Sequence, residues 1–346
     1  MPNLRWSYMD HWREPSPRGL VTQYASVRSM DRFIKQLVAL GFAGIDTFFF
    51  SLPQFEAMFG SLPNFENFMR ERGMDKIVNV FFAKPNATPG FAFHERSDHD
   101  NIVAACERIL ERCRDISVEG LIVMPTNTYW QMEPVTDDRI GVIADLWNRV
   151  GEMTRRHGAK TSIHHEFWCG IRTLEQIERF YELTDPELVY FFCDTAQHVI
   201  AHVDPVALYE KYHARCSGFH FKDTHDVDTT EDFRRPPDAE LLSPTVERWF
   251  WEMGTPEGLV DFPALMRAMK KHEYKGWVAL EHDKADIGGS NYAEATAVGK
   301  WYADNVLSKI YARVDARCPA SSSPTRSIVG APLTTASSGA NSMHER

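Results

Sequence analysis

The chain has 346 residues, 43% of them apolar, with a net charge of −10 and an isoelectric point near 5.8. That length holds one barrel-type domain of roughly 250 residues with decorations, or two ordinary domains. The acidic balance argues against strong general nucleic-acid binding, which needs clustered Lys and Arg, and leaves room only for a local basic groove.

No run approaches the ~20 apolar residues of a membrane span. The N-terminal MPNLRWSYMDHW lacks the basic and apolar regions of a secretory signal. None of the six cysteines forms a CxxC pair, so they read as scattered reduced thiols and not as a disulfide framework. A cytoplasmic protein with no membrane and no nucleic-acid partner is expected.

In chain order, LRWSYM (4–9) reads as a first strand. SMDRFIKQLVALG (29–41) reads as a helix: Ser29 can cap it, Phe33, Ile34, Leu37 and Val38 share a face, and Gly41 suits the C-terminal cap. AGIDTFFF (43–50), KIVNVFFA (76–83) and GLIVMPT (120–126) are the next three strands. A long helix follows from Thr136 to Gly158, with Ile140, Ile143, Trp147 and Val150 on one stripe. Strands five to eight are KTSIHHEF (160–167), LVYFFCDT (188–195), SGFHFKD (217–223) and GWVALEH (276–282).

Strands alternating with helical segments predict a (β/α)8 TIM barrel. The rival is a doubly wound open sheet, and no GxGxxG follows the first strand to support a dinucleotide-binding version of it. Two connections, 84–99 and roughly 224–260, are long and follow strands, so in a barrel both lie on the C-terminal face as lids or partner surfaces. Residues 1–315 are expected to form the barrel. Residues 316–346, rich in Ser, Ala, Thr, Pro and Gly, read as a disordered tail.

SIHHEF (162–167) is unusual for a buried strand, which ordinarily reads as an unbroken apolar run. Side chains alternate faces along a strand, so His164 and Glu166 share one face and His165 takes the other. Asp194 ends strand six in the same way. His220 and Lys222 share a face of strand seven, and Glu281 lies near the end of strand eight.

Each residue has a plainer reading. Asp194 can cap a helix, His220 can be a hydrogen-bonded core histidine, Glu281 can pair with Lys222, and Glu166 can cap the next helix. Together, on consecutive strands, three carboxylates and an imidazole repel one another unless a cation is present. They favour one divalent ion, Mn²⁺ first, with Mg²⁺, Co²⁺ and Zn²⁺ open.

HHEF, CDTAQH (193–198), GFHFKDTH (218–225) and GTPEGLVDFPALMRAMKKHEYKGWVALEHD (254–283) resemble the xylose isomerase-like TIM barrels. This is the family of sugar isomerases, epimerases and inosose dehydratases. The resemblance implies that Glu166, Asp194, His220 and Glu281 are metal ligands, that His198 contacts substrate, and that Lys222 faces substrate. His198 stands four residues after the aspartate, where DTGH forms place it three after.

YKGWVALEHDKA and GTPEGLVDF look like the inosose dehydratase branch. SIHHEFW looks like the large subunit of bacterial C-glycoside deglycosidases, which work on 3-oxo-glucosides with a small second subunit. The long connection after strand seven favours the latter. The resemblance therefore implies a lyase acting on a cyclic keto-sugar by proton removal next to the carbonyl and elimination one carbon further on. The expected substrate is a 3-oxo-C-glycoside, and the alternative is 2-keto-myo-inositol.

His164, on the face of Glu166, is the expected base. His198 or a residue of the long loops is the expected acid. A ketose epimerase or isomerase with Glu166 and Glu281 as bases is a rival. An endonuclease of this barrel type, which needs more ligands and a basic face, and a non-catalytic barrel subunit are weaker ones. ERWFWEM (247–253), on the second long connection, is a candidate partner or substrate surface.

Overall fold

All the predicted strand runs are rich in β-branched and aromatic residues, which suit a pleated surface, and each forms a strand. The computed structural model describes residues 4–10, 14–15, 21–22, 26–82, 89–235, 249–282 and 292–311. The barrel strands are β1 Arg5–Met9, β2 Gly44–Phe48, β3 Lys76–Phe82, β4 Gly120–Val123, β5 Lys160–His164, β6 Val189–Asp194, β7 Cys216–Phe221 and β8 Trp277–Leu280. Each pairs in parallel with its sequence neighbours, and β1 pairs with both β2 and β8, so the sheet closes into an eight-stranded barrel without edges.

Alternation sends one set of side chains outward and one inward. Tyr8, Ile45, Ile163, Phe191 and Phe219 join the large core under the helices. Met9, Phe48, Phe81, Ile122 and Phe192 fill the barrel interior as a separate apolar cluster. Gly218 leaves space for that filling: a Cβ there would stand 2.5 Å from Cε2 of Phe192.

The first helix runs Val27–Ala39 and buries Met30, Phe33, Ile34 and Leu37. It starts earlier than expected because Ser26, not Ser29, caps it; Ser26 Oγ accepts from the Ser29 N–H at 3.1 Å. The chain leaves this helix through Gly41 at φ +86°, a left-handed conformation that suits glycine. The helix Asp137–Arg156 begins at Thr136, buries Ile140, Ile143, Trp147 and Val150, and anchors Trp147 Nε1 on Pro125 O at 2.7 Å.

Beyond β7 the chain departs from the simple strand expected. Asp223–Thr224 pairs antiparallel with Phe250–Trp251, a small ribbon over the C-terminal end of β7. Cys106, Cys113, Cys169, Cys193 and Cys216 are free thiols, four of them buried. The expected tail, 83–88 of the first long connection and 236–248 of the second lie outside the described residues.

Candidate metal centre

The polar strand ends gather at the C-terminal mouth. β5 ends at His164, whose register partner is Phe192 of β6. Asp194 ends β6 and has two tasks. Its Oδ1 accepts from the Gln197 N–H at 2.9 Å and caps the helix Thr195–Ile200, while Oδ2 faces the interior. His220 is the register partner of Asp194 on β7, and Glu281 follows β8. Asp194 therefore caps a helix with one oxygen and faces the other polar strand ends with the second.

One side-chain atom each from His164, Asp194, His220 and Glu281 lie within 4.8 Å of one another, and all four residues are buried. His164 Nε2 is 3.1 Å from Asp194 Oδ2. His220 Nδ1 is 2.9 Å from Glu281 Oε2 and 3.9 Å from Asp194 Oδ2. The Lys222 ammonium, 1% exposed, sits 3.1 Å from both Asp194 Oδ2 and Glu281 Oε2 and 4.4 Å above the Phe250 ring.

Burial opposes a charge on His220, but Glu281 and Asp46 outweigh it and raise its pKa to about 9. His164 Nδ1 and both ring nitrogens of His220 are buried without a hydrogen bond. Buried polar atoms are ordinarily satisfied. Two imidazoles facing two carboxylates at these distances suit a divalent ion, and the residues present fit one.

The β5 member of this cluster is His164. Glu166, expected as a ligand, lies beyond the strand end, with Oε1 3.5 Å from His164 Nδ1 and its side chain 11% exposed. His165 takes the outer face as expected, with Nδ1 3.2 Å from Ile171 O and Nε2 3.3 Å from the Tyr181 hydroxyl.

His198, expected to contact substrate, is not brought to the cluster. Its Nδ1 donates to Asp194 O at 2.5 Å, and its ring packs against His165 and Phe191 behind β6. Burial lowers its pKa to about 4. The reason is helical: one turn beyond Asp194 the side chain folds back over the strand. The residue three after Asp194 is Gln197, whose Oε1 accepts the Phe167 N–H at 3.0 Å and braces the β5 loop. Arg172 braces the same loop, donating from Nε to Phe167 O at 2.6 Å with its guanidinium 3.6 Å over Phe233.

Asp46 and Asn79 escaped the sequence reading. Both are buried, and Asn79 Nδ2 donates to Asp46 Oδ2 at 3.1 Å. The available signal was a carboxylate in the middle of AGIDTFFF.

A family model described as xylose isomerase-like TIM barrel matches residues 34–301. An inosose dehydratase from Lacticaseibacillus casei is 27% identical over 237 residues, which cover 67% of this chain and 77% of that protein. Another from Bacillus velezensis is 25% identical over 243 residues, covering 70% and 74%. Among solved structures, the IOLI protein with a bound zinc atom superposes with a TM-score of 0.64 at 14% identity, over 89% of this chain and 100% of that one. These relatives carry the names of sugar-modifying enzymes, and the solved structure shares the fold. No helix among the described residues is long and apolar enough to cross a membrane.

Proposed function

Because the chain belongs to the xylose isomerase-like TIM-barrel family, we propose that it is a metal-dependent lyase that dehydrates a cyclic polyhydroxy ketone of the keto-inositol type. The observation that carries this reading is the buried cluster of His164, Asp194, His220 and Glu281 at the barrel mouth. The relatives named inosose dehydratase, at 25% and 27% identity, favour dehydration over the C-glycoside cleavage expected first.

In this reading Asp194, His220 and Glu281 hold the ion, and Glu166 completes the set from the mouth. Mn²⁺ is the first choice; Zn²⁺, Co²⁺ and Mg²⁺ compete for the same donors. A divalent ion bound there polarises the ring ketone and acidifies the neighbouring C–H.

His164 is the base. Its Nε2–H donates to Asp194, which fixes the tautomer and leaves the Nδ1 lone pair towards Glu166 and the mouth. Nδ1 takes the proton, the C–H electron pair becomes the new carbon–carbon double bond, and the hydroxyl on the next carbon leaves as water with the proton that Nδ1 returns. The Lys222 ammonium adds positive charge beside the carbonyl oxygen as its negative charge develops.

A second reading keeps the same proton removal but expels an aryl carbon from a 3-oxo-C-glycoside, with a small second subunit as partner. One observation favours it. Phe50, 46% exposed, stacks on Phe48 at 5.0 Å; Phe48 stacks on Phe81 at 5.6 Å; and Phe81 packs on His164 at 5.0 Å. This aromatic ladder suits a flat aglycone.

The test is metal content of the purified protein, with turnover of 2-keto-myo-inositol and of a 3-oxo-C-glucoside, each with and without the small subunit. Stoichiometric metal with water loss from the cyclitol supports the first reading, and release of the aglycone supports the second. Activity on free ketoses alone would replace both with an epimerase. In His164→Ala, metal should stay while turnover falls about 10²–10⁴-fold; loss of metal instead would make His164 a ligand and Glu166 the base.

A further inference from the structure

Asp46 stands in the middle of β2, a strand in which every residue is buried. An ionised carboxylate inside a closed barrel is costly unless something pairs with it, and Asp46 is not one of the four groups that converge. Its Oδ2 lies 3.6 Å from Nε2 of His220. His220 Nδ1 points the other way, 2.9 Å from Glu281 and 3.9 Å from Asp194. The imidazole therefore spans two sets of carboxylates, one on each nitrogen.

The backbone is shaped to present Asp46 there. β2 pairs Ile45 with Ile77 and Thr47 with Val80, so Val78 and Asn79 together face Asp46 across a register shift. Such a bulge re-aims side chains, and bulges collect beside functional sites. Here it sets Asn79 Nδ2 3.1 Å from Asp46 Oδ2. Nothing in the reaction proposed above uses either residue.

The chemistry of imidazole connects these observations. A ring nitrogen ligates a cation through its lone pair, so the proton must sit on the other nitrogen. That buried N–H then needs an acceptor, which orients the ring and raises the basicity of the ligating nitrogen.

We propose that Asp46 is a positioning residue of the metal centre: it faces Nε2 of His220 at 3.6 Å and accepts its N–H once Nδ1 ligates the cation beside Asp194 and Glu281, while Asn79 holds the carboxylate in place. The inference rests on the metal reading of the site. It assigns Asp46 no contact with substrate.

The experiment titrates the metal-free full chain with Mn²⁺ and Co²⁺ by calorimetry, for the parent, Asp46→Asn and Asp46→Ala, with melting curves as the folding control. Asp46→Ala should bind about 10–100-fold more weakly. Asp46→Asn should fall between the two, because its amide oxygen still accepts. The visible band of bound Co²⁺ should move in Asp46→Ala, since the ligating nitrogen changes in basicity, while the metal-free fold keeps its circular dichroism.

Equal affinity in all three proteins overturns the proposal. So does an asparagine variant as weak as the alanine one, because charge alone would then be the cause. If Asp46→Ala does not fold, Asp46→Leu, of similar shape and without an acceptor, takes its place. A parent that binds neither ion overturns this inference together with the proposed function; a parent that binds while the variants match it overturns the role of Asp46 alone.

Discussion

Lys222 shows how far a single side chain sets the charge state of the site. Its ammonium lies between Asp194 and Glu281, 3.1 Å from each, in a place closed to water. That is also where a divalent ion would neutralise the same oxygens. Removing one partner of a buried ion pair leaves an uncompensated charge, at a cost of about 3–5 kcal/mol. Lys222→Met should therefore melt well below the parent when metal-free and recover most of the difference when a divalent ion is added. Thermal scans with and without Mn²⁺ check this; a variant as stable as the parent without metal would show that Lys222 is not the counter-charge.

Elements carry the site through their ends. The end of β6 is at once a strand terminus, a helix cap and a wall of the cluster, because the two oxygens of Asp194 face different ways: Oδ1 to the Gln197 N–H and Oδ2 to His164 and Lys222. Asparagine caps helices about as well as aspartate, and alanine loses about 1 kcal/mol at such a position. Asp194→Asn should thus lose the ion but keep the helix, whereas Asp194→Ala should also lose the cap. Urea unfolding of the two metal-free variants separates them; equal stability would mean that the cap contributes nothing. The same helix explains His198. Four residues past Asp194 a side chain turns to the outer layer, so its imidazole is held by Asp194 O and not by anything at the mouth.

At the scale of the whole molecule, the layer between barrel and helices holds two histidines in the neutral form. Burial lowers the pKa of His165 and of His198, the latter to about 4. An unfolded histidine titrates near 6.5. Above that pH neither state binds the proton and these residues add no pH dependence. As pH falls below 6.5 the unfolded chain takes up protons that native His165 and His198 refuse, His198 until about 4, so stability falls as the pH drops. Each histidine contributes a slope of up to about 1.4 kcal/mol per pH unit. Denaturant midpoints from pH 7 to pH 4.5 should drop for the parent and drop less steeply for His198→Gln. An unchanged slope in that variant would remove His198 from the account.

Much of this was legible in the residues themselves. The period of apolar runs such as LVYFFCDT and the stripe of Ile140, Ile143, Trp147 and Val150 are local properties, and they determined the alternation of strands and helices, hence the barrel. The two-residue repeat of a strand likewise determined that His164 faces inward and His165 outward. What lay beyond the sequence depended on how separate elements meet. That His164 stands at the end of β5 among the four converging groups, with Glu166 in the loop just beyond at 3.5 Å, depends on where the strand ends. The place of His198 depended on the turn of a six-residue helix. Asp46 was read as part of an ordinary strand because its partners, Asn79 and His220, come from β3 and β7. Only the closure of the sheet, with the bulge opposite Asp46, brings the three side chains together: local periodicity sets which way a residue points, and barrel geometry sets what it meets.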